Sequence, residues 1–282
     1  MAIIKNMNRI IKSFPNVSRL VFTVILIIIA LFLSSIINFP KLKEVFPFVG
    51  VILLIVVNGI MYNTENKNLN ELGLNLKKTN LYLLFFGLVL GVLAVFVGYC
   101  LKSFLTEDFI QINGSMDYSN ILKHIYWVLP TAAVQELICR GYIYKKIISM
   151  TNLTVAKIII SMVFIAMHDV FGIGIFGAIF YSISIVIGHL VLATALLKSG
   201  TILFAIGIHW GSNIANNKLF TEDKLNSSIL YLTKAVQDEP IGFNPIGILL
   251  YIIALNIGFI ILGICLWKWK KVSSKKEQIH LN

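Results

Sequence analysis

The sequence is short of charge, and shortest of negative charge. Of its 282 residues 13% are charged, with 13 Asp and Glu against 24 Lys and Arg. A soluble globular protein carries about 25% charged residues. So little charge excludes an ordinary soluble domain, and a 57% hydrophobic content calls for lipid around it. Cysteine is scarce as well. Cys100, Cys139 and Cys265 stand far apart, with no Cys-x-x-Cys pair. That spacing excludes a disulfide framework and a thiolate zinc site, and all three read as buried small hydrophobes. There is no internal repeat and no low-complexity tract. The longest polar stretches, 63–80, 102–120 and 217–244, read as loops too short to fold alone. One integral membrane domain over 1–282 is expected.

What is present is a series of apolar runs. A spanning helix needs about 20 largely apolar residues. Candidate spans are Leu20–Phe39, Val45–Tyr62, Leu81–Leu101, Ile121–Ile138, Val155–His168, Ile173–Leu197, Thr201–Asn213 and Pro245–Trp267. The fold class is therefore all-α: a polytopic bundle of about eight transmembrane helices. Lys5, Arg9, Lys12 and Arg19 precede the first run, which is too long for a signal-peptide core and reads as a retained helix.

Lys and Arg orient the bundle. With the N-terminus in the cytoplasm, that side receives Lys67, Lys77, Lys78, Arg140, Lys145, Lys146, Lys157, Lys198 and a tail with Lys268, Lys270, Lys271, Lys275 and Lys276. The outer side receives Glu107, Asp108, Asp117, Asp169, Glu222, Asp223, Asp238 and Glu239. Both termini are expected in the cytoplasm. Trp267 and Trp269 fall at the inner interface, where aromatic anchors belong. The net charge of +11 gathers at helix ends rather than in a stripe, which fits anionic lipid headgroups and not nucleic acid.

Against this background a few polar residues stand out. Glu136 lies in a nearly apolar stretch, where an ionisable group costs roughly 2.5–3.5 kcal/mol on insertion scales. Arg140 follows four residues later on the same helix face, so the two can pair. His168 ends the fifth run, and His209 and Asn213 share a face of the seventh. Counting from the nearest cytoplasmic charge at ~1.5 Å per residue, Glu136, His168 and His209 all fall at ~14–16 Å. One depth on three helices suggests one site. A Glu–Arg pair that only locks helices, and membrane histidines that only pack, are the plainer readings. His189 has no evident partner and reads as structural. His124 and His280 read as solvated, and Asp169 either orients His168 or caps the helix end.

In order, these residues resemble the motifs of the CPBP family, the CAAX proteases and bacteriocin-processing enzymes, also called Abi. Its members carry Glu-Glu-x-x-x-Arg, then Phe-x-x-x-His, then His-x-x-x-Asn or Asp. Here they read Gln135-Glu136-Leu-Ile-Cys-Arg140, Phe164-Ile-Ala-Met-His168 and His209-Trp-Gly-Ser-Asn213. Flanks are similar too: Arg140-Gly141, Glu71-Leu-Gly-Leu74 and the Lys198-Ser-Gly200 approach to His209. The family-like core covers roughly 70–215.

The resemblance implies an intramembrane endopeptidase that hydrolyses peptide or membrane-protein substrates with an activated water, in a bacterial plasma membrane. By that resemblance His168 positions the water, His209 and Asn213 stabilise the oxyanion, and Arg140 holds Glu136, which aligns with the family's second, Arg-paired glutamate. One position departs. The family's first Glu, the usual base, is Gln135 here, and an amide does not accept a proton at neutral pH. Either Glu136 acts as base, or the chain is an inactive homologue serving as membrane adaptor or immunity protein. A transporter with a midplane polar site ranks last, since transporters show inverted repeats. Glu136, His168 and His209 also offer a Glu-His-His zinc set. Without a His-Glu-x-x-His motif, water activation with no obligatory metal is the favoured expectation.

Overall fold

The computed structural model describes residues 15–37, 39–170, 172, 174–221, 228–233 and 245–270. Lys5, Arg9, Lys12, Ile173, Glu222, Asp223, Asp238, Glu239, Lys271, Lys275, Lys276 and His280 lie outside the described residues.

Each apolar run forms a helix. In chain order these are α1 (Pro15–Ile37), the short α2 (Pro40–Val45), α3 (Val49–Asn63), α4 (Lys78–Thr106), α5 (Tyr118–Cys139), α6 (Tyr142–Met150), α7 (Leu153–Ala166), α8 (Gly174–Ser199), α9 (Ile202–Ile214) and α10 (Pro245–Lys268). The fold is all-α and of membrane type. Among the described residues α1, α4 and α8 are long and apolar enough to cross a membrane, while α3, α7 and the 252–268 part of α10 are shorter apolar helices. Many large apolar side chains on the outer faces are exposed, among them Ile28, Phe32, Phe85, Ile158 and Met162. In lipid that arrangement carries no hydrophobic cost.

The helix boundaries follow local chemistry. Asp117 caps α5 by accepting from the Asn120 N–H at 3.0 Å, and Asn152 caps α7 by accepting from Val155 at 2.9 Å. Thr201 caps α9 and also donates to the Gly73 carbonyl at 3.0 Å. The stretches around Gly73 and Gly200, distant in sequence, are therefore docked on one another.

Helix α9 sits at the centre, buried along nearly its whole length. It can do so because glycines let it approach α4 backbone to backbone. A Cβ on Gly207 would lie 2.0 Å from the Leu84 carbonyl oxygen, and one on Gly211 would lie 2.0 Å from that of Leu88. Reciprocally, a Cβ on Gly91 would lie 2.1 Å from the Ile208 carbonyl oxygen. Small residues four apart on both helices replace side-chain packing with close backbone contact, a common solution where lipid supplies no hydrophobic drive.

Two stretches expected as plain loops are more than that. Phe109–Ile112 (β1), Phe220–Thr221 (β2) and Leu230–Thr233 (β3) form a small sheet in the order β1-β3-β2. β1 runs antiparallel to β3, with Ile110 opposite Leu232, and β2 runs parallel to β3. Local alternation in such short segments is too weak a signal to read, and the pairing joins parts of the chain over 100 residues apart. The cysteines also differ from expectation. Cys139 is buried, but Cys100 is half-buried and Cys265 is exposed on the outer face of α10, where lipid makes exposure cheap.

Candidate functional site

The site begins with the way α5 ends. The helix stops at Cys139, and Arg140 closes it through its N–H to the Glu136 carbonyl at 2.7 Å. The chain then turns at Gly141. A Cβ there would meet the Leu137 carbonyl at 2.2 Å and Asn58 Oδ1 at 2.3 Å, so only glycine fits. Asn58, buried on α3, stitches the break: its Oδ1 accepts from the Tyr142 N–H at 2.6 Å, and its Nδ2 donates to the Leu54 carbonyl at 2.8 Å. Counting straight from Glu136 to Lys145 therefore misjudges depth, because α5 and α6 are separate helices. Helix α7 likewise stops at Ala166, so His168 stands just beyond its end rather than inside it.

The break delivers Arg140 into the core. Its side chain is fully buried. Nη1 donates to Glu136 Oε1 at 2.8 Å, so the pair expected from the spacing of four residues is present. Nη2 reaches His189 Nδ1 at 2.7 Å and the His189 carbonyl at 3.2 Å. His189 thus has the partner that sequence reading did not find. Arg cannot accept a hydrogen bond, so His189 Nδ1 is the acceptor and its ring is neutral. The guanidinium also lies over the Phe164 ring, 4.9 Å from its centre.

Glu136 Oε1 accepts a second bond, from His209 Nδ1 at 2.8 Å. Glu136 is fully buried, and its Oε2 has no hydrogen-bond partner among the described residues. One carboxylate oxygen therefore joins α5 to α9 while the other is uncommitted. Phe164 is the hub around which the histidines stand. Its ring centre is 4.9 Å from that of His168, 5.8 Å from His189 and 5.9 Å from His209. Its carbonyl takes His168 Nδ1 at 2.7 Å. Asp169 is exposed and takes no part in orienting His168; the Phe164 carbonyl does that work.

The two amides stand outside this bonding. Gln135 and Asn213 are half-buried, and among the described residues neither side chain makes a hydrogen bond. On α5 Gln135 stands about 100° around the helix from Glu136. Asn213 lies one turn beyond His209 on α9. His124 is not solvated as expected: its Nε2 is enclosed. As for a metal, among the described residues no three His, Cys, Asp or Glu side chains are grouped to hold an ion. His209 turns Nδ1 onto Glu136 instead of sharing a ligand point with it.

A second ionic cluster lies just past α3. Glu65 accepts from Lys146, from Tyr142 Oη at 2.7 Å, and stands 3.7 Å from Arg19. Burial pushes its carboxyl up, but the hydrogen bonds from Lys146 and Tyr142 and the charges of Lys146 and Arg19 outweigh it. The net shift is downward from the ordinary carboxylate value. Tyr142 is thus tied at its N–H to Asn58 and at its hydroxyl to Glu65, which fixes the residue that follows the Arg140–Gly141 break.

This is a membrane-type helical bundle with a buried Glu-Arg-His cluster at a helix break. Residues 118–215 match the family model described as Rce1-like, type II CAAX prenyl endopeptidase. The matched segment contains Glu136, Arg140, Phe164, His168, His189 and His209, and the resemblance to the CPBP family drawn from the motifs is borne out there. At family level the match is to CAAX-type intramembrane proteases. No curated protein and no solved structure matches the chain.

Proposed function

We propose that this chain is an intramembrane endopeptidase of the CAAX type, hydrolysing peptide or membrane-protein substrates at the Glu136, His168, His209 and Asn213 cluster. The observation that carries the reading is the buried carboxylate of Glu136, bound on one oxygen by Arg140 and His209 and, among the described residues, without a partner on the other. A bundle held together by this pair alone gains little from a charge in its core. An uncommitted carboxylate oxygen beside imidazoles is a means of moving protons. Arg140 and Gln135 support the site, with no metal favoured. The membrane is a bacterial plasma membrane with both chain ends in the cytoplasm, and the basic ends meet anionic lipid headgroups. Peptide maturation or bacteriocin immunity would use such an activity.

The test is cleavage of a fluorogenic peptide library by protein reconstituted in lipid vesicles. Glu136→Ala and His168→Ala are expected to lose at least about 100-fold in rate, as removal of acid-base groups does. Equal cleavage by parent and variants would remove the assignment.

Gln135 favours a second reading, an inactive homologue acting as membrane adaptor or immunity protein. On that reading the parent is silent and Gln135→Glu restores cleavage. A cellular phenotype would also survive Glu136→Gln.

A further inference from the structure

Helix α4 serves two neighbours. Gly87 and Gly91 face α9, while Ala94 and Gly98 meet α10. The second contact is also backbone to backbone: a Cβ on Gly258 would lie 1.8 Å from the Ala94 carbonyl oxygen, and one on Gly98 would lie 2.8 Å from that of Ala254. The two helices therefore run antiparallel. From this contact toward Phe86 on α4 and Trp269 past α10 they leave a cavity of about 520 Å³ between them. No charged or amide side chain lines it. Leu262 and Leu266 are buried in its floor, and Leu93 and Val97 stand exposed at its rim.

The groove has the length of one leaflet. Phe86 to Val97 and Gly258 to Trp269 each span ~16 Å at ~1.5 Å per residue. Half of a hydrocarbon core is ~15 Å. The Gly258–Ala94 contact closes the groove at its inner end. The other end opens among lysines. Lys268 and Lys270 flank Trp269, and Lys77 and Lys78 lie about two turns beyond Phe86. All four are exposed, and among the described residues none of them makes an ion pair. Lys198 is committed instead: its Nζ donates to the Trp267 carbonyl at 2.6 Å and the Trp269 carbonyl at 2.9 Å, which pins the end of α10.

We propose that this groove is a binding site for one anionic phospholipid. An acyl chain lies between α4 and α10, and the phosphate meets the Lys77, Lys78, Lys268 and Lys270 collar. The apolar lining suits the chain, the length suits one leaflet, and the charge selects the headgroup. Trp269 stands at the headgroup level, where interfacial aromatics belong. The site also touches the central helix. Phe86 stacks on Phe204 of α9 with ring centres 6.1 Å apart, and Trp269 meets the same ring edge-on at 5.5 Å. A lipid seated against Phe86 and Trp269 therefore steadies the helix that carries His209. This site lies apart from the proposed reaction and does not depend on it.

The experiment is tryptophan fluorescence of the full chain in phosphatidylcholine vesicles, with either chain-brominated phosphatidylglycerol or chain-brominated phosphatidylcholine added at matched mole fractions. Bromine quenches on contact, and the difference between the parent and Trp269→Phe isolates the Trp269 signal. Half-maximal quenching of Trp269 is expected at a mole fraction at least about 5-fold lower for the anionic lipid, the order that one lysine near an anionic surface supplies. Exchanging Lys77, Lys78, Lys268 and Lys270 together for Gln is expected to remove that preference. Cys265→Phe, which places a ring in the groove, is expected to weaken quenching by both lipids. Equal quenching of the parent by the two lipids overturns the proposal. So does a preference that survives loss of the four lysines, or quenching untouched by Cys265→Phe. Shielding of Trp269 from both lipids, with a dimer in native mass spectrometry, gives the groove to a second copy of the chain and also overturns it. Cleavage is not read, so each of these results leaves the endopeptidase reading to its own test.

Discussion

Glu136 on α5 and His209 on α9 share a hydrogen bond of 2.8 Å although 73 residues separate them in sequence. Both are buried, and the same carboxylate oxygen also holds Arg140. The bond therefore couples the helix break after Cys139 to the central, glycine-packed helix. Damage on either side should be felt at the other.

Arg140→Ala should be severe. It leaves Glu136 charged and buried without its cation, and breaking such a pair costs about 3–5 kcal/mol. Arg140→Lys should rescue only part of this, since one ammonium does not reproduce the fork that reaches Glu136 with Nη1 and His189 with Nη2. Thermal unfolding in detergent, followed by helix signal, measures both.

Asn58→Ala should destabilise by about 1–3 kcal/mol, the cost of leaving a buried donor unsatisfied, here the Tyr142 N–H. Because that N–H lies two residues after Arg140, activity should fall further than the loss of folded protein accounts for. Cleavage per folded molecule is the measurement.

Gly211→Ala should cost about 1–3 kcal/mol or more by overpacking, because the new Cβ would stand 2.0 Å from the Leu88 carbonyl oxygen. Gly188→Ala, where nothing lies within 4 Å of the new Cβ, should be neutral or mildly stabilising. The pair separates close helix contact from a general intolerance of alanine, read as the yield of monodisperse protein.

The Glu65 cluster predicts an acid dependence. Its carboxyl titrates lower in the folded protein than the ordinary value of 4.5. Folding thus favours the carboxylate, and the stabilisation is fully present above that value. It is lost as pH falls through the depressed folded pKa. The Tm difference between parent and Glu65→Gln should be constant at neutral pH and shrink as pH drops below about 4.5. An unchanged difference down to pH 3 would contradict this linkage.

Much of the architecture was legible because it depends on composition. Every apolar run became a helix, since a backbone in lipid has few other ways to satisfy its N–H and C=O groups. The Glu136–Arg140 pair followed from a spacing of four. Other features were hidden because they join distant segments. His189 looked partnerless because its partner lies 49 residues away, and the sheet pairs 109–112 with 230–233. Asn58 gave a signal that was passed over: a lone amide between Val57 and Gly59 in an apolar helix. The role of Phe164 was legible only as one letter of a motif. Its position between one guanidinium and three imidazoles needed the packing.

The most direct test is the rate of peptide cleavage by reconstituted parent, Glu136→Gln and His209→Asn, each normalised to folded protein. The parent is expected to cut, and each variant to lose at least about 100-fold. Cleavage by either variant at the parent's rate, or no cleavage by the parent, would contradict a peptidase centred on this pair.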